Sequence, residues 1–294
     1  MKISVVICTH NRAQSLKRTL HSLTTQTLPH SEFEVIVVDN ASTDDTQTVV
    51  TSFADLPVRY IFESSVGLSI ARNTGWQNAH NPYVVFIDDD AEADPVWLES
   101  ILKTFAARVD QAVVVGGKVE LVFPVQKPAW LEESLLFCLG NIDVGPGTII
   151  LDTTPFYLPG CNLAVSKQTL LDHGGFPTLL GRKGDNLLSG EEILLQQKIK
   201  AAGGSRIYTE AAQVKHHVER SRLTKKWFLK RMYWEGVTNK KIEKMMGHHI
   251  SLATELAAFL RQVFSFGFIF KASFADMCLA LQRFGRVVES VRPR

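Results

Sequence analysis

The chain has 294 residues, 45% of them hydrophobic and 21% charged, which sets the expectation of a globular protein of one large or two closely joined domains. Its four cysteines, Cys8, Cys138, Cys161 and Cys278, form no CxxC pair, which excludes zinc-finger spacing and a compact disulfide framework and fits a reducing compartment. The net charge of +2 conceals an asymmetry: residues 219–294 carry 15 Lys and Arg against 6 Asp and Glu, whereas residues 1–218 carry 17 against 24. A basic segment of that kind expects an anionic partner, either nucleic acid or an anionic membrane. No recognition-helix pattern, zinc motif or RNP signature supports nucleic acid. No apolar run reaches the ~18 residues of a membrane span, and the first apolar run is too short for a signal peptide, so a cytoplasmic location is expected.

Taken in order, Ile3 to Cys8 reads as a buried strand, and the polar Thr9-His10-Asn11-Arg12 as the loop at its carboxyl end. Leu16, Leu20 and Leu23 then recur at helical spacing. Val35 to Asp39 is a second strand closed by an acid, with Asn40-Ala41-Ser42-Thr43-Asp44 supplying turn and cap chemistry. Arg59 to Phe62 is a third strand, after which Gly67 to Gly75 combines a glycine turn, a Ser cap and an early-helix Arg72. Tyr83-Val84-Val85-Phe86-Ile87-Asp88-Asp89-Asp90 follows, an apolar β-rich run that ends in three carboxylates. Adjacent carboxylates repel, and a divalent cation is the simplest way to hold them at the mouth of a low-dielectric pocket. Extended alternation puts Asp88 and Asp90 on one face and Asp89 on the other, so Asp88 and Asp90 make the better ligand pair. The same acids would also suit the N-terminus of a following helix.

The repeat of strand, loop and helix predicts an α/β fold, a mostly parallel sheet flanked by helices, with the ligand beyond the strands' carboxyl ends. Asp39, Arg72 and Asp88 converge there in this reading. A carboxylate can accept from a base N–H or a ribose hydroxyl, and an Arg can face a phosphate bidentately. Asp39 serves a turn cap equally well, and Arg72 on its own reads as a solvated helix charge. Neither GxGxxG nor GxxxxGK[ST] is present, so dinucleotide oxidoreductases and P-loop NTPases lose their sequence support.

Four motifs in this order, Thr9 to Arg12, Val38 to Asp44, Gly67 to Gly75 and Ile87 to Asp90, resemble family 2 glycosyltransferases of the Rossmann-like GT-A fold. The resemblance covers about residues 1–220. It implies that Thr9, Asn11, Arg12, Asp39, Asn40, Arg72, Asp88 and Asp89 face a nucleotide-diphosphate sugar, and that Asp88 and Asp90 form the DxD site for a divalent cation on the diphosphate. It divides the chain into a transferase domain over 1–218, with a nucleotide-binding half (1–115) and an acceptor half (116–218), followed by a basic, helical C-terminal extension over 219–294.

In the second half, Ala112 to Val115 and Lys118 to Phe123 read as strands on either side of a bend at Gly116-Gly117. Trp130, in a loop-rich stretch, either stacks on a sugar or packs the loop onto the core. Pro159 to Val165 reads as turn then strand and resembles the family's segment beside the sugar pocket, which makes Asn162 a donor-sugar candidate. Glu191 and Glu192 open an amphipathic helix and resemble the family's acidic pair, whose second member takes the acceptor's proton. Glu replaces the more frequent Asp at that position, and the choice between Glu191 and Glu192 stays open. His216 and His217 face opposite ways on a strand. The resemblance assigns His216 to the metal and diphosphate environment, where an imidazole suits Mn²⁺ and Mg²⁺ prefers oxygen alone.

Beyond Glu219, basic residues interleave with Trp227, Phe228, Tyr233 and Trp234, and apolar stretches lie at Leu252 to Leu260 and Val263 to Phe270. Such helices either lie in a membrane interface, placing the protein at the cytoplasmic face, or pack as a helical cap. The reading reached is an inverting, metal-dependent glycosyltransferase with a glycan or lipid-linked acceptor, acting in polysaccharide or cell-envelope assembly. The Gln-x-x-Arg-Trp motif of processive synthases is absent, which favours single-sugar transfer. A sugar-nucleotide-binding protein without turnover is the alternative, and a metal-dependent phosphohydrolase leaves Asp39, Arg72 and Glu192 without roles.

Overall fold

The architecture is that of a computed structural model, which describes residues 1–108, 113–184, 186–264 and 272–292. The chain forms two compact units: Met1–Val122 with Gly140–Leu179 and Glu191–His217, and Phe123–Leu139 with Leu180–Gly190 and Val218–Arg294.

The first unit begins as the strand, loop and helix repeat predicts. β1 (Ile3–Thr9), β2 (Phe33–Asp39), β3 (Val58–Phe62) and β4 (Tyr83–Asp88) alternate with α1 (Ala13–Thr24), α2 (Thr46–Thr51) and α3 (Leu68–Gln77). β1 pairs in parallel with both β2 and β4, in a register that sets Thr9 beside Asp39 and Cys8 beside Asp88. Three polar strand ends are thereby brought to one edge of the sheet. Ile3, Val5, Val6 and Ile7 of β1 are all fully buried, as expected of a central strand covered on both faces. Burial of each such side chain stabilises the fold by roughly 1.5–3 kcal/mol. Gly75 of α3 lets that helix approach β1, since a Cβ there would lie 2.3 Å from Val6.

Beyond β4 the sheet combines parallel and antiparallel pairs. The sheet continues through β5 (Ala91–Ala93), β6 (Val113–Val122), β7 (Thr148–Ile150), β8 (Leu163–Ser166) and β9 (Ser205–His217), with α4 (Trp97–Ala106), α5 (Lys167–His173) and α6 (Glu191–Ala201) between them. Its order is β3-β2-β1-β4-β8-β6-β9-β5, with β7 also on β9. β8 runs antiparallel to both β4 and β6, and β5 and β7 run antiparallel to β9. β6 and β9, the two longest strands, pair in parallel, so the expected mostly parallel arrangement of this α/β sheet holds, with the short strands β5, β7 and β8 antiparallel to their neighbours.

Two expected strands merge. Val113 to Val122 is one strand through Gly116-Gly117, and Ala112 lies outside the described residues. The glycines mark an irregularity in pairing: between Gly117 and Val119 on β6, the partner on β9 advances from Thr209 to Val214. Bulges of this kind re-aim a strand, and here the re-aimed part of β9 carries His216. A Cβ on Gly117 would stand 2.1 Å from the Ala212 carbonyl oxygen and 2.4 Å from that of Thr209.

The second unit is helical: α7 (Lys225–Met245), α8 (Leu252–Phe264) and α9 (Phe274–Val291). It holds the 219–294 segment together with the two earlier segments. Trp130 packs edge-to-face on Phe228 and Phe274, with ring centroids 5.4 and 5.0 Å away, so the packing alternative holds for it. Leu252 to Leu260 lies in α8; the second apolar stretch is described only for Val263 and Phe264, and its residues 265–270 lie outside the described residues. Among the described residues, no helix is long and apolar enough to cross a membrane.

Gly117→Ala is expected to lower stability by about 1–3 kcal/mol, because the obstructing atoms are backbone and cannot rotate away. Urea denaturation measures the loss; an unchanged midpoint would mean that the bulge tolerates a side chain.

Candidate active site

The acidic cluster is arranged by a turn and by two arginines, Arg12, which is partly exposed, and Arg72, which is buried. β4 ends at Asp88, and Asp89 and Asp90 form the turn into β5. The expected alternation along an extended strand therefore does not operate. Asp89 and Asp90 both meet Arg12, whose Nη1 lies 3.1 Å from Asp89 Oδ1 and 2.9 Å from Asp90 Oδ2. Thr9 Oγ1 donates to Asp89 Oδ2 at 2.8 Å. Burial lifts the Asp89 carboxyl to a pKa of about 7; Arg12 opposes the shift and the Asp90 charge adds to it.

Asp88 and Asp90 still come together, and His216 joins them. His216 Nε2 is 3.0 Å from Asp90 Oδ1, and one ligand atom from each of Asp88, Asp90 and His216 lies within 4.8 Å of the others. β5 pairs antiparallel with β9, setting Ala91 opposite His216, and Asp90's carbonyl accepts from the His217 amide at 2.9 Å. His217 turns the other way and pairs with Glu92. Two carboxylates and one imidazole form a donor set that fits a divalent cation, Mn²⁺ better than Mg²⁺.

Arg72 lies beside this cluster and is 3% exposed. Its Nη2 donates to Asp88 Oδ1 at 3.1 Å and its Nη1 to Glu191 Oε1 at 2.5 Å. Burial alone would depress the guanidinium pKa, but the charges of Glu191, Asp88 and Glu192 raise it above its ordinary value. The Phe176 ring lies under it at 5.5 Å, and Gly160 makes room for it, since a Cβ there would come within 2.4 Å of Nη2. Glu191 opens α6 and is 2% exposed; Glu192, its neighbour, is half-buried. Cys8, next to Asp88 on β1, has its thiol pushed up to about 12, chiefly by burial.

The loops after β1 and β2 are fastened to each other. Asn11 Oδ1 accepts from the Thr43 amide at 2.7 Å, Ser42 Oγ accepts from the Asn11 amide at 2.9 Å, and Asp44 accepts from the Ala13 amide at 3.0 Å. Asn11 and Ala41 hold left-handed backbone, φ 54° and 60°, a costly conformation for residues with a Cβ. Asp39 accepts from the Ser42 amide at 2.8 Å and from Tyr60 Oη at 2.7 Å. Asn40 ties its loop to the next: its amide nitrogen donates to Glu63 O and Ser65 O, and its Oδ1 accepts from the Gly67 amide.

Thr9, Arg12, Arg72, Asp88, Asp89, Asp90, Glu191 and His216 are thus gathered by direct contacts, with Asn11, Asp39 and Asn40 in the fastened loops alongside. Asn162 is different. It is fully buried, its Oδ1 accepting from Trp97 Nε1 at 2.9 Å and its amide donating to Ala212 O and Lys118 O. Both of its side-chain N–H donors and one lone pair of Oδ1 are thus engaged within the protein. Tyr60, Gly160 and Phe176 escaped the sequence reading, since each acts through a contact that no local pattern announces.

The model of the family described as glycosyl transferase family 2 matches residues 4–156, more than half of the chain and all of the loops just described. The chain belongs to that family. This family 2 glycosyltransferase is 29% identical over 248 residues to a glucosyl-dolichyl phosphate glucuronosyltransferase of Haloferax volcanii, covering 83% of this chain and 78% of that protein. It is 25% identical over 269 residues to the succinoglycan biosynthesis protein ExoM of Rhizobium meliloti, covering 87% of this chain and 80% of the other. Among solved structures, the mannosyltransferase PcManGT of Pyrobaculum calidifontis, in complex with GDP-Man and Mn²⁺, superposes with a TM-score of 0.65 over 99% of this chain and 87% of that one. At 19% identity that likeness is one of fold, and the fold of this glycosyltransferase is of GT-A type.

Arg72→Leu is expected to cost roughly 3–5 kcal/mol, because it leaves Glu191 buried and without its cation. The double variant Arg72→Leu with Glu191→Leu should recover much of that stability in urea denaturation. Additive losses would show that the pair is not coupled.

Proposed function

We propose that this glycosyltransferase is metal-dependent and inverting, moving a sugar from a nucleoside diphosphate sugar to a hydroxyl of a glycan or lipid-linked acceptor during glycan assembly. The observation that carries the reading is the Asp88, Asp90 and His216 donor set placed beside the Arg72–Glu191 pair. Asp88, Asp90 and His216 would hold the cation. When bound, the cation neutralises charge that develops on the leaving diphosphate.

The chain's own residues do the rest. Asp39, Thr9 and Asn11 sit at the strand ends where a nucleotide is bound in α/β sheets, with loops already held in shape. Asn40 acts as the fastening between two of those loops. Arg12 keeps Asp89 and Asp90 together and offers positive charge for phosphate oxygens. Glu191 is held by Arg72, which turns its Oε1 toward the guanidinium rather than toward an acceptor. That pairing supports Glu192, one residue further along α6, as the base. Its carboxylate takes the proton from the acceptor hydroxyl while the hydroxyl oxygen bonds to the anomeric carbon. The bond from that carbon to the diphosphate oxygen breaks with its electron pair leaving on the nucleoside diphosphate, and the anomeric centre inverts. The names of the relatives, a glucosyl-dolichyl phosphate glucuronosyltransferase in one case and a succinoglycan biosynthesis protein in the other, support a glycan or lipid-linked acceptor.

Three substitutions separate the roles. Asp90→Asn should remove the Mn²⁺-dependent part of the thermal shift given by UDP- or GDP-sugars and abolish transfer; unaltered activity without added metal would reject the metal assignment. Glu192→Gln should keep donor binding and lower kcat by about 10²–10⁴. If Glu191→Gln alone removes turnover while leaving stability intact, the base is the other acid.

A further inference from the structure

Helices α8 and α9 of the second unit carry their glutamates inward and several large apolar side chains outward. Glu255, the only carboxylate in α8, is 5% exposed and sits in an ion-pair network. Lys240 Nζ lies 3.1 Å from its Oε1, and Arg286 bonds both of its oxygens at 2.7 and 2.9 Å. Arg286 also bonds Glu243 at 2.6 Å. Glu289 of α9 is 4% exposed, with Lys241, Lys244 and Arg292 around it. Burial by itself would raise the Glu255 pKa, but Arg286 and Lys240 lower it, so the carboxylate stays charged inside the helical packing.

The solvent side of α8 presents Leu252, Leu256, Leu260 and Phe264, which are 43%, 42%, 41% and 66% exposed. Their spacing of four residues aligns them in one stripe along a helix roughly 20 Å long. Phe284 of α9, 41% exposed and with its ring 5.7 Å from Phe259 of α8, extends the stripe sideways. Met277 and Val291, seven residues to either side of Phe284, are exposed on the same face of α9. A helix in water arranges these groups the other way round, so this face has a cover.

The charge at the edge of the face selects the cover. The carboxylates of α8 and α9 are Glu255 and Glu289, both buried, and Asp276, which closes the capping box at the start of α9. The charged side chains left at the rim are Arg261, exposed, and Arg283, half-buried; among the described residues neither has a carboxylate within ion-pair distance. A second copy of the same face would bring arginine to arginine, whereas an anionic lipid surface would attract them. We propose that this face lies in the headgroup region of an anionic membrane leaflet, the leucines and phenylalanines of the stripe inserted and Arg261 at the phosphate level. The attachment goes beyond the transfer reaction and does not depend on which acid is its base.

Flotation of the full chain with phosphatidylcholine vesicles, with and without added phosphatidylglycerol, tests it at low and high salt. The wild type should float with the anionic vesicles and release as salt rises. Leu256→Glu with Leu260→Glu should lower the floated fraction by about tenfold or more at unchanged melting temperature, since both side chains already face solvent. Should that pair of changes disturb folding, Leu260→Ser alone gives the same readout at smaller amplitude, and Arg261→Glu should weaken the anionic preference. Wild type that stays out of every vesicle fraction, or variants that float as well as wild type, would overturn the proposal. So would a concentration-dependent dimer in sedimentation equilibrium that the leucine variants dissolve, which would identify the cover as a second copy.

Discussion

The buried guanidinium of Arg72 is the constraint on which the active-site region depends. A charge at 3% exposure is tolerable only when opposite charges replace the water it has lost, and Asp88 and Glu191 supply them from the end of β4 and the start of α6. Gly160 is bare so that the guanidinium fits, and Phe176 supports it from below. The same logic extends outward. Arg12 joins Asp89 to Asp90, and His216 meets the far oxygen of Asp90. Acids and bases alternate through the cluster, so removing one member leaves its neighbours charged and without compensation. The site behaves as a single electrostatic object.

The two halves of the sheet contribute differently to that object. Parallel strands β2, β1 and β4 deliver Asp39, Thr9 and Asp88 by their carboxyl ends, an outcome of register alone. The mixed half delivers His216 through β9, whose path past Gly117 is bent by the pairing irregularity with β6. One half offers ends of strands and the other offers the side of a strand, and the donor set is completed where they meet within the first unit.

Much of this was legible in the sequence wherever chemistry follows local order. Strands ending in Asp39 and Asp88, the helix carrying Arg72, and the acids opening α6 are each read from a few consecutive residues. What escaped depends on distance or on burial. Arg72 and Glu191 are 119 residues apart, and nothing in either neighbourhood marks the other. Asn162 sits in the turn before β8, and its carboxamide bonds Trp97, Lys118 and Ala212, partners that only packing discloses. Alternation gave the Asp88 and Asp90 pairing for a reason that does not apply, because the strand stops one residue before Asp89. The antiparallel placement of β8 between β4 and β6 likewise has no signature in a four-residue strand.

Trp130 shows what the segmented make-up of the second unit means for the chain as it is made. Its ring rests on Phe228 and Phe274, so the segment Phe123–Leu139 is finished only when residues about 100 and 140 positions downstream are present. On a ribosome working from the N-terminus, that indole has no seat while the whole of β9 is being synthesised. The helices from α7 onward are thus the last-arriving half of a structure begun much earlier, and a nascent chain halted before Phe274 would display an aromatic surface for chaperones to cover.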